Sequence, residues 1–382
     1  MKWFGTKAAA SGDARPVLAR AWGTGAVALG EWPASYEAQL RAGVMGNAVA
    51  QRAMRLVSEG AGACAIKVRG PNMDSGDGAR VDARVRALIA RASAGQGLME
   101  TLACHLLLHG NAYVQLIAGA DGMPAELFAL RPERVSVEAD ARGWPAAYLY
   151  RVGESVTRLC PEDGAGRTSV LHIRALHPLD DHYGLGCAGA AAGAVAIHNA
   201  ASVWNKALLD NAARPSGAMV YDPGDGSVLS PEQFERVKRE MEVAFAGAAN
   251  AGRPMLLEGG LSWKAMSLTP AEMDFVGLKS AAAREIALAF GVPPMLMGLP
   301  GDNAYANYRE ANKALWRQAI LPLVGKIGAG LAQGLGTWWP GLAIEPDLDA
   351  VPALSDERAA LWERVAGADF LSAEEKKAML GL

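Results

Sequence analysis

"AREIALAFGVPPMLMGLPGDNAYANYREANKALWRQAILPLVGKI" occupies residues 283–327, and the rest of the fold is read outward from it. Its first part is helix-like and stops at Val292-Pro293-Pro294, because a proline disfavours helical backbone at the residue before it. A glycine-containing, nearly uncharged segment follows, ending near Asn303. A second long helical stretch then runs from about Ala304 to Ala332. Pro322 lies inside that stretch and is expected to kink it by removing one backbone donor and clashing with the preceding turn. A loop with no Lys or Arg, held between two long helices, needs an explanation.

The chain has 382 residues, a formal net charge of −3 and 44 glycines, many beside alanine. Its length suits two or three domains. An acidic balance with a pI near 6.1 leaves no basic footprint, so electrostatic capture of nucleic acid by one chain is excluded as the main activity. Cys64, Cys104, Cys160 and Cys187 are far apart and form no CxxC pair. Reduced thiols are expected, with neither a disulfide framework nor a zinc ribbon. The N-terminal residues have no apolar core of signal-peptide length. Residues 183–205 are uncharged, but they are rich in Ala and Gly and carry His198, Asn199, Ser202 and Asn205. They read as a tightly packed helix and not as a membrane span.

Residues 1–38 show no sustained period and read as an arm. A helical pattern spans about 35–59, a short strand "CAIKV" follows, and helices are expected near 82–93 and 97–109. Five strand-like runs come next: "AYVQLIA", "AELFALR", "RVSVEAD", "AAYLYRV" and "TSVLHIRAL". Helices followed by a strand meander predict an α+β module over 39–185. The loop "HPLDDHYGLG" leads into an Ala-rich helix over about 187–213, on the order of 40 Å long. A small unit over 216–268 contains strands "GAMVYD", "PMLLE" and "LSWKAMSL". Its helix opens with Ser230 as N-cap, Pro231 at N1 and Gln233 at N3. Phe234, Val237, Met241 and Phe245 make one narrow apolar stripe on that helix. Thr269-Pro270-Ala271-Glu272 repeats the start signal for a helix running to about Phe290. Two short capped helices finish the chain, near Ser355 and at Ser372 with Glu375 at N3.

Gly184-Leu185-Gly186-Cys187-Ala188-Gly189 is a literal GxGxxG opening a helix, with Asp210 placed 21 residues beyond Gly189. A dinucleotide fingerprint needs a strand running straight into the first glycine, and here a polar loop intervenes. Close packing is the competing explanation. His172, His177, His182 and Cys187 recur every five residues, a spacing that no single helix or strand converges on one face. Cys104-His105 sits in an apolar helix without a third group. Trp338-Trp339 lack the interleaved cations of a base-stacking platform. No Walker A loop, GxSxG elbow or HExxH pattern occurs. The expectation is a non-enzyme without metal or cofactor.

"IALAFGVPPMLMG" followed by "NAYANYREANKALWRQAILPLVGKI" resembles the portal proteins of long-tailed bacteriophages. "HIRALHPLDDHYGLGCAGAAAGAVAI" resembles that family's turn into its first stem helix. "GAANAGRPMLLEGGLSWKAMSL" resembles the strand pair before its second. Together these cover roughly residues 40–345 in the family's order. The resemblance implies an α+β portal fold that assembles as a ring, typically of twelve, at the capsid vertex of a phage or a phage-derived gene transfer agent. It implies a wing at 39–185, a first stem helix at 186–215, a clip at 216–268 and a second stem helix at 269–294. A tunnel loop at 295–303, a kinked helix returning to the wing at 304–349 and a short crown at 350–382 complete it. Met295, Leu296, Met297, Leu299, Pro300 and Asn303 would face DNA. The clip stripe of Phe234, Val237, Met241 and Phe245 would meet the motor or the connector. Implied partners are copies of the chain, double-stranded DNA passing without sequence preference, the terminase large subunit, the head–tail connector and the major capsid protein. Implied locations are the virion and, during assembly, the host cytoplasm. A nucleotide-dependent oxidoreductase built on Gly184–Gly189 and another head–tail adaptor ring are the alternatives.

Overall fold

The computed structural model describes residues 35–70, 76–210, 217–224, 228–245, 260–265, 274–299 and 305–381. The chain divides into two compact units, one formed by Met1–Ala192 with Ala287–Leu382 and one by Gly193–Ile286. The first unit opens with α1 (Tyr36–Leu40), a π-turn (Arg41–Met45) and α2 (Ala48–Ala63). The single helix expected over 35–59 is therefore broken. Asn47 is extended, and its side chain accepts the N–H groups of Val49 and Ala50, which starts α2 afresh.

β1 (Ile66–Arg69), α3 (Gly76–Ala90) and α4 (Leu98–His109) follow. α4 closes on Gly110 in the left-handed conformation, and that residue's N–H returns to Leu106 O. The strands are β2 (Asn111–Ala118), β3 (Pro124–Leu130), β4 (Val135–Ala139), β5 (Pro145–Val152), β6 (Ser155–Leu159) and β7 (Val170–Arg174). They do not form one meander. They make two three-stranded sheets, ordered β3-β2-β7 and β4-β5-β6. β2 is buried along most of its length, as a central strand is, so β7 returns to pair with it. β6 is almost wholly exposed and shows no apolar alternation, which hid it in the sequence. The two sheets share a core of Tyr113, Leu130, Val135, Tyr148 and Val170.

α5 (Cys187–Asp210) carries the chain into the second unit. There β8 (Gly217–Tyr221) pairs antiparallel with β9 (Leu261–Ala265), and α6 (Pro231–Phe245) lies between them in sequence. The capping box at Ser230 is present. The Gln233 N–H donates to Ser230 Oγ (3.2 Å), and the Ser230 N–H donates to Gln233 Oε1 (2.9 Å). α7 (Phe275–Ala289) starts later than expected. Asp274 caps it by accepting the Gly277 N–H at 3.1 Å, while the Thr269 signal and the strand "PMLLE" lie outside the described residues. Within this unit Trp204 of α5 stacks on Phe275 of α7, with ring centres 4.2 Å apart.

The first unit resumes with α8 (Tyr305–Leu315), a π-turn (Trp316–Ile320) and α9 (Leu321–Leu335). Pro322 is the second residue of α9, in a stretch that stays helical through Ile320 and Leu321. The irregularity expected at the proline is taken up by the π-turn before it. α9 packs on β7 and on β10 (Ala343–Pro346), and β10 pairs antiparallel with β1 from the far end of the chain. Gly328 lets Ile344 O approach so closely that a Cβ would lie 2.3 Å from it. α10 (Ser355–Ala366) and α11 (Ala373–Leu380) end the chain, the second with the expected Ser372–Glu375 capping box. Among the described residues no helix is long and apolar enough to cross a membrane.

Candidate channel-facing site

The FGVPP element is a helix stop with a full physical account. Gly291 adopts φ +68°, its N–H returns to Leu288 O (3.0 Å), and the Val292 N–H returns to Ala287 O (2.9 Å). This pair of bonds is the Schellman motif, which satisfies the last carbonyls of α7 and needs a residue free to be left-handed. Phe290 and Val292 are buried, so the stop is also pinned by packing. Pro293 and Pro294 cannot continue the ladder. Instead they start a short 3₁₀ turn, Pro294–Met297, in which the Leu296 N–H donates to Pro293 O.

Met295, Leu296 and Met297 thus belong to an ordered turn, where a loop was expected from residue 295 onward. They are half-buried, and their turn packs on α2 and α8. Gly298 closes the turn at φ +72°, and Leu299, also half-buried, begins the loop proper. Pro300 and Asn303 lie outside the described residues. No Lys or Arg occurs between Arg284 and Arg309, so the segment offers phosphates no cationic anchor. On α8, Lys313 bonds Glu310 (2.9 Å) and Glu357 (3.4 Å), and Arg317 also pairs with Glu357. The Lys313 ammonium holds the Glu310 carboxyl below the usual range.

On α6, Phe234 is exposed and Val237 is half-buried, while the side chains of Met241 and Phe245 are outside the described set.

The GxGxxG stretch serves packing. A Cβ on Gly184 would lie 2.0 Å from Gly110 O, and one on Gly186 would lie 2.4 Å from Leu108 O, so both glycines exist to let the chain cross the α4–β2 turn. Fully buried Asn111 holds the crossing. Its Oδ1 accepts the Gly184 N–H at 2.7 Å and faces His172 Nε2 at 2.9 Å, while its Nδ2 donates to Gly184 O and His109 O. No such contact engages Gly189, whose Cβ would meet only Gln39 Oε1 at 3.9 Å.

The histidine series does not converge. His172 stacks on Tyr113 in the core, and burial pushes its pKa down to about 3. His177 Nδ1 accepts the Leu179 N–H at the loop surface. Among the described residues no cluster of His, Cys, Asp and Glu is arranged to hold a metal ion. Cys104 faces Met54 Sδ at 3.4 Å, and burial raises its thiol pKa, the opposite of an activated nucleophile. Trp338 donates its Nε1–H to Gly122 O and sits under Arg167, a structural anchor.

One polar node has no signature in the sequence. The Asp349 carboxylate accepts from Arg358 Nε (2.6 Å) and Trp362 Nε1 (3.0 Å) and pairs with Lys67 Nζ (3.2 Å). The Arg358 bond above all holds its carboxyl far below the usual range. Arg358 also donates to Leu380 O, which ties α10 to α11, and Arg69 donates to Gly381 O, which ties the end of α11 to β1. The partners are up to 312 residues apart, which no local motif announces.

This arrangement of elements is shared with an HK97-family phage portal protein from Corynebacterium diphtheriae. That structure superposes with a TM-score of 0.56 at 18% identity, over 85% of this chain and all of that one. The chain belongs to the phage portal protein family, whose model matches residues 48–381. Similarity is much higher to a chain in the neck of a native gene transfer agent particle reconstructed with C12 symmetry: 47% identity and a TM-score of 0.67, covering 92% of this chain and 94% of that one. An uncharacterized protein of Rickettsia felis is 39% identical over 88% of this chain and 86% of its own length.

Proposed function

We propose that this chain is the portal subunit of a phage-like gene transfer particle, closing in twelve copies around a channel for double-stranded DNA. The observation that carries the proposal is its 47% identity to a chain in a C12 particle neck, sustained over nearly the whole of both chains. In this reading 39–185 and 304–349 are the wing, and 186–215 with 269–294 the stem. Residues 216–268 are the clip, and 350–382 the crown inside the capsid shell. Met295, Leu296, Met297, Leu299, Pro300 and Asn303 border the lumen. With no Lys or Arg there, a duplex slides without being gripped. The stripe of Phe234, Val237, Met241 and Phe245 on α6 meets first the terminase large subunit and later the head–tail connector. The wing seats in the major capsid protein, with assembly beginning in the host cytoplasm. The stop at Gly291–Pro294 supports this, because a Schellman–proline stop fixes the turn of Met295, Leu296 and Met297, which carries no charge.

Electron microscopy of the purified chain tests it. The expected images are hollow twelve-fold rings whose maps place Leu299 at the narrowest point. Solid particles, or rings with this segment on the outer rim, would sink the proposal.

A further inference from the structure

A closed ring of identical copies needs two different surfaces on each copy, one fitting the other around the circle. The first unit carries such a pair, and this inference rests on the ring reading above. The projecting surface is the loop between β7 and α5. Leu176 and Leu179 are 83% and 73% exposed there, and Leu185 is 54% exposed. Exposed leucines are ordinary when scattered, but these three stand on a loop held rigid at every turn. The Ala175 N–H donates to Gly110 O (2.7 Å) and the Leu179 N–H to His177 Nδ1 (3.1 Å). Asp180 Oδ1 accepts the N–H groups of His182 (2.7 Å) and Tyr183 (3.0 Å), Arg174 donates to Asp181 O, and Asn111 holds Gly184. Tyr183 adds an anchor by accepting the Val137 N–H of β4 at 3.0 Å. Ordering a loop this heavily while leaving its leucines in water makes sense where the ordering has been done in advance of a contact.

The receiving surface is a groove of about 580 Å³ between α9 and β10. Gly325, Ala329, Ala332 and Gly336 of the α9 side face Leu342 and Ala343 across it. The glycines and alanines on the α9 side leave room for branched side chains, and Gln333 and Glu345 add polar groups to the lining. Its size suits two or three leucine side chains.

We infer that the loop bearing Leu176 and Leu179 of one copy inserts into the α9–β10 groove of the next, making this the contact that closes the ring. The occupant is a second copy of this chain. The fit is heterologous, so loop and groove are both used once per subunit.

The test uses the full chain with Cys160, the exposed native cysteine, replaced by Ser. Leu179→Cys and Ala329→Cys in one chain are expected to give, on mild oxidation of assembled rings, a ladder of cross-linked species ending at the full ring. Leu176→Asp with Leu179→Asp, and separately Ala329→Trp, should each shift the protein from ring to monomer in sedimentation velocity with an unchanged far-UV circular dichroism spectrum. Mixing the two variants should give dimers and nothing larger, because only one good loop and one good groove remain per pair. Rings from every variant, with no cross-linking, would overturn this inference and leave the ring reading intact. A wild-type chain that never assembles would overturn both.

Discussion

At the scale of single residues, Gly184 and Gly189 look alike in the GxGxxG string and differ in the fold. A methyl on Gly184 meets backbone on two sides, at 2.0 Å from Gly110 O and 2.7 Å from Ala175 N, and backbone cannot step aside. Gly184→Ala should therefore destabilise the subunit by more than about 2 kcal/mol, within the range for overpacking and broken buried hydrogen bonds. Gly189→Ala should be neutral or stabilise α5 by up to about 1 kcal/mol through helix propensity. Urea denaturation of the two variants decides between them, and equal losses would contradict the packing account.

His172 makes a pH prediction of definite sign. Its folded pKa lies near 3, lowered mainly by burial and further by Arg174, His109 and His182, whereas an unfolded histidine titrates near 6.5. The neutral ring is the one the fold accepts. The stabilisation is complete above about pH 6.5 and is lost as the pH falls from there towards 3. His172→Gln, which retains a donor for Asn111 Oδ1, should flatten the fall in stability between pH 6.5 and 4. An unchanged slope would assign the acid sensitivity to other groups. A reader of the sequence sees His172 only as one of a series at five-residue intervals. Its partner Asn111 lies 61 positions away and carries no motif.

At the scale of elements, the starts and stops were legible because they are local. The Ser230 and Ser372 capping boxes and the Pro293–Pro294 stop form between residues within a few positions of one another. The same logic extends to the break at Asn47, where a capping side chain after Gly46 divides a pattern that periodicity alone joins. What was not read was the π-turn before Pro322, and the start of α7 at Asp274, a local cap passed over in favour of the Thr269 signal. The C-terminal helices are a case where one side chain holds an element. Asp349→Asn leaves Arg358 partly buried without its carboxylate, while Lys67 keeps Asp347, and should cost about 2 kcal/mol, the usual size for a hydrogen bond to a charged group. The local consequence is that α10 and α11 loosen. Limited proteolysis should then cut the 367–372 connection faster than in the parent chain, while cleavage elsewhere is unchanged. A digestion pattern identical to the parent's would show that packing of Val365 and Leu380 suffices to hold them.

At the scale of the whole molecule, the proposed ring of twelve 39.9 kDa chains has a mass of about 480 kDa, which mass photometry reads directly. The lumen prediction is electrostatic. Leu299→Lys would place one cation per copy beside the duplex in a segment that otherwise has none. Rings of the variant should retain DNA fragments at low salt and release them as salt rises, the signature of counterion release. Parent rings should show neither behaviour. A variant as indifferent to DNA as the parent would move Leu299 off the channel wall.

The sequence alone determined the order of most of the elements, the caps at Ser230 and Ser372, the proline stop and the family. Each is written in residues that are adjacent or a few positions apart, where backbone geometry and hydrogen-bond reach leave few choices. Only the tertiary structure decided that β7 pairs with β2, that β10 reaches back to β1, that Gly184 and Gly186 serve a chain crossing, and that Asp349 ties down the last helices. Periodicity tells which face of an element is buried. It does not tell against what, because that partner is chosen by the packing of surfaces far apart in the chain.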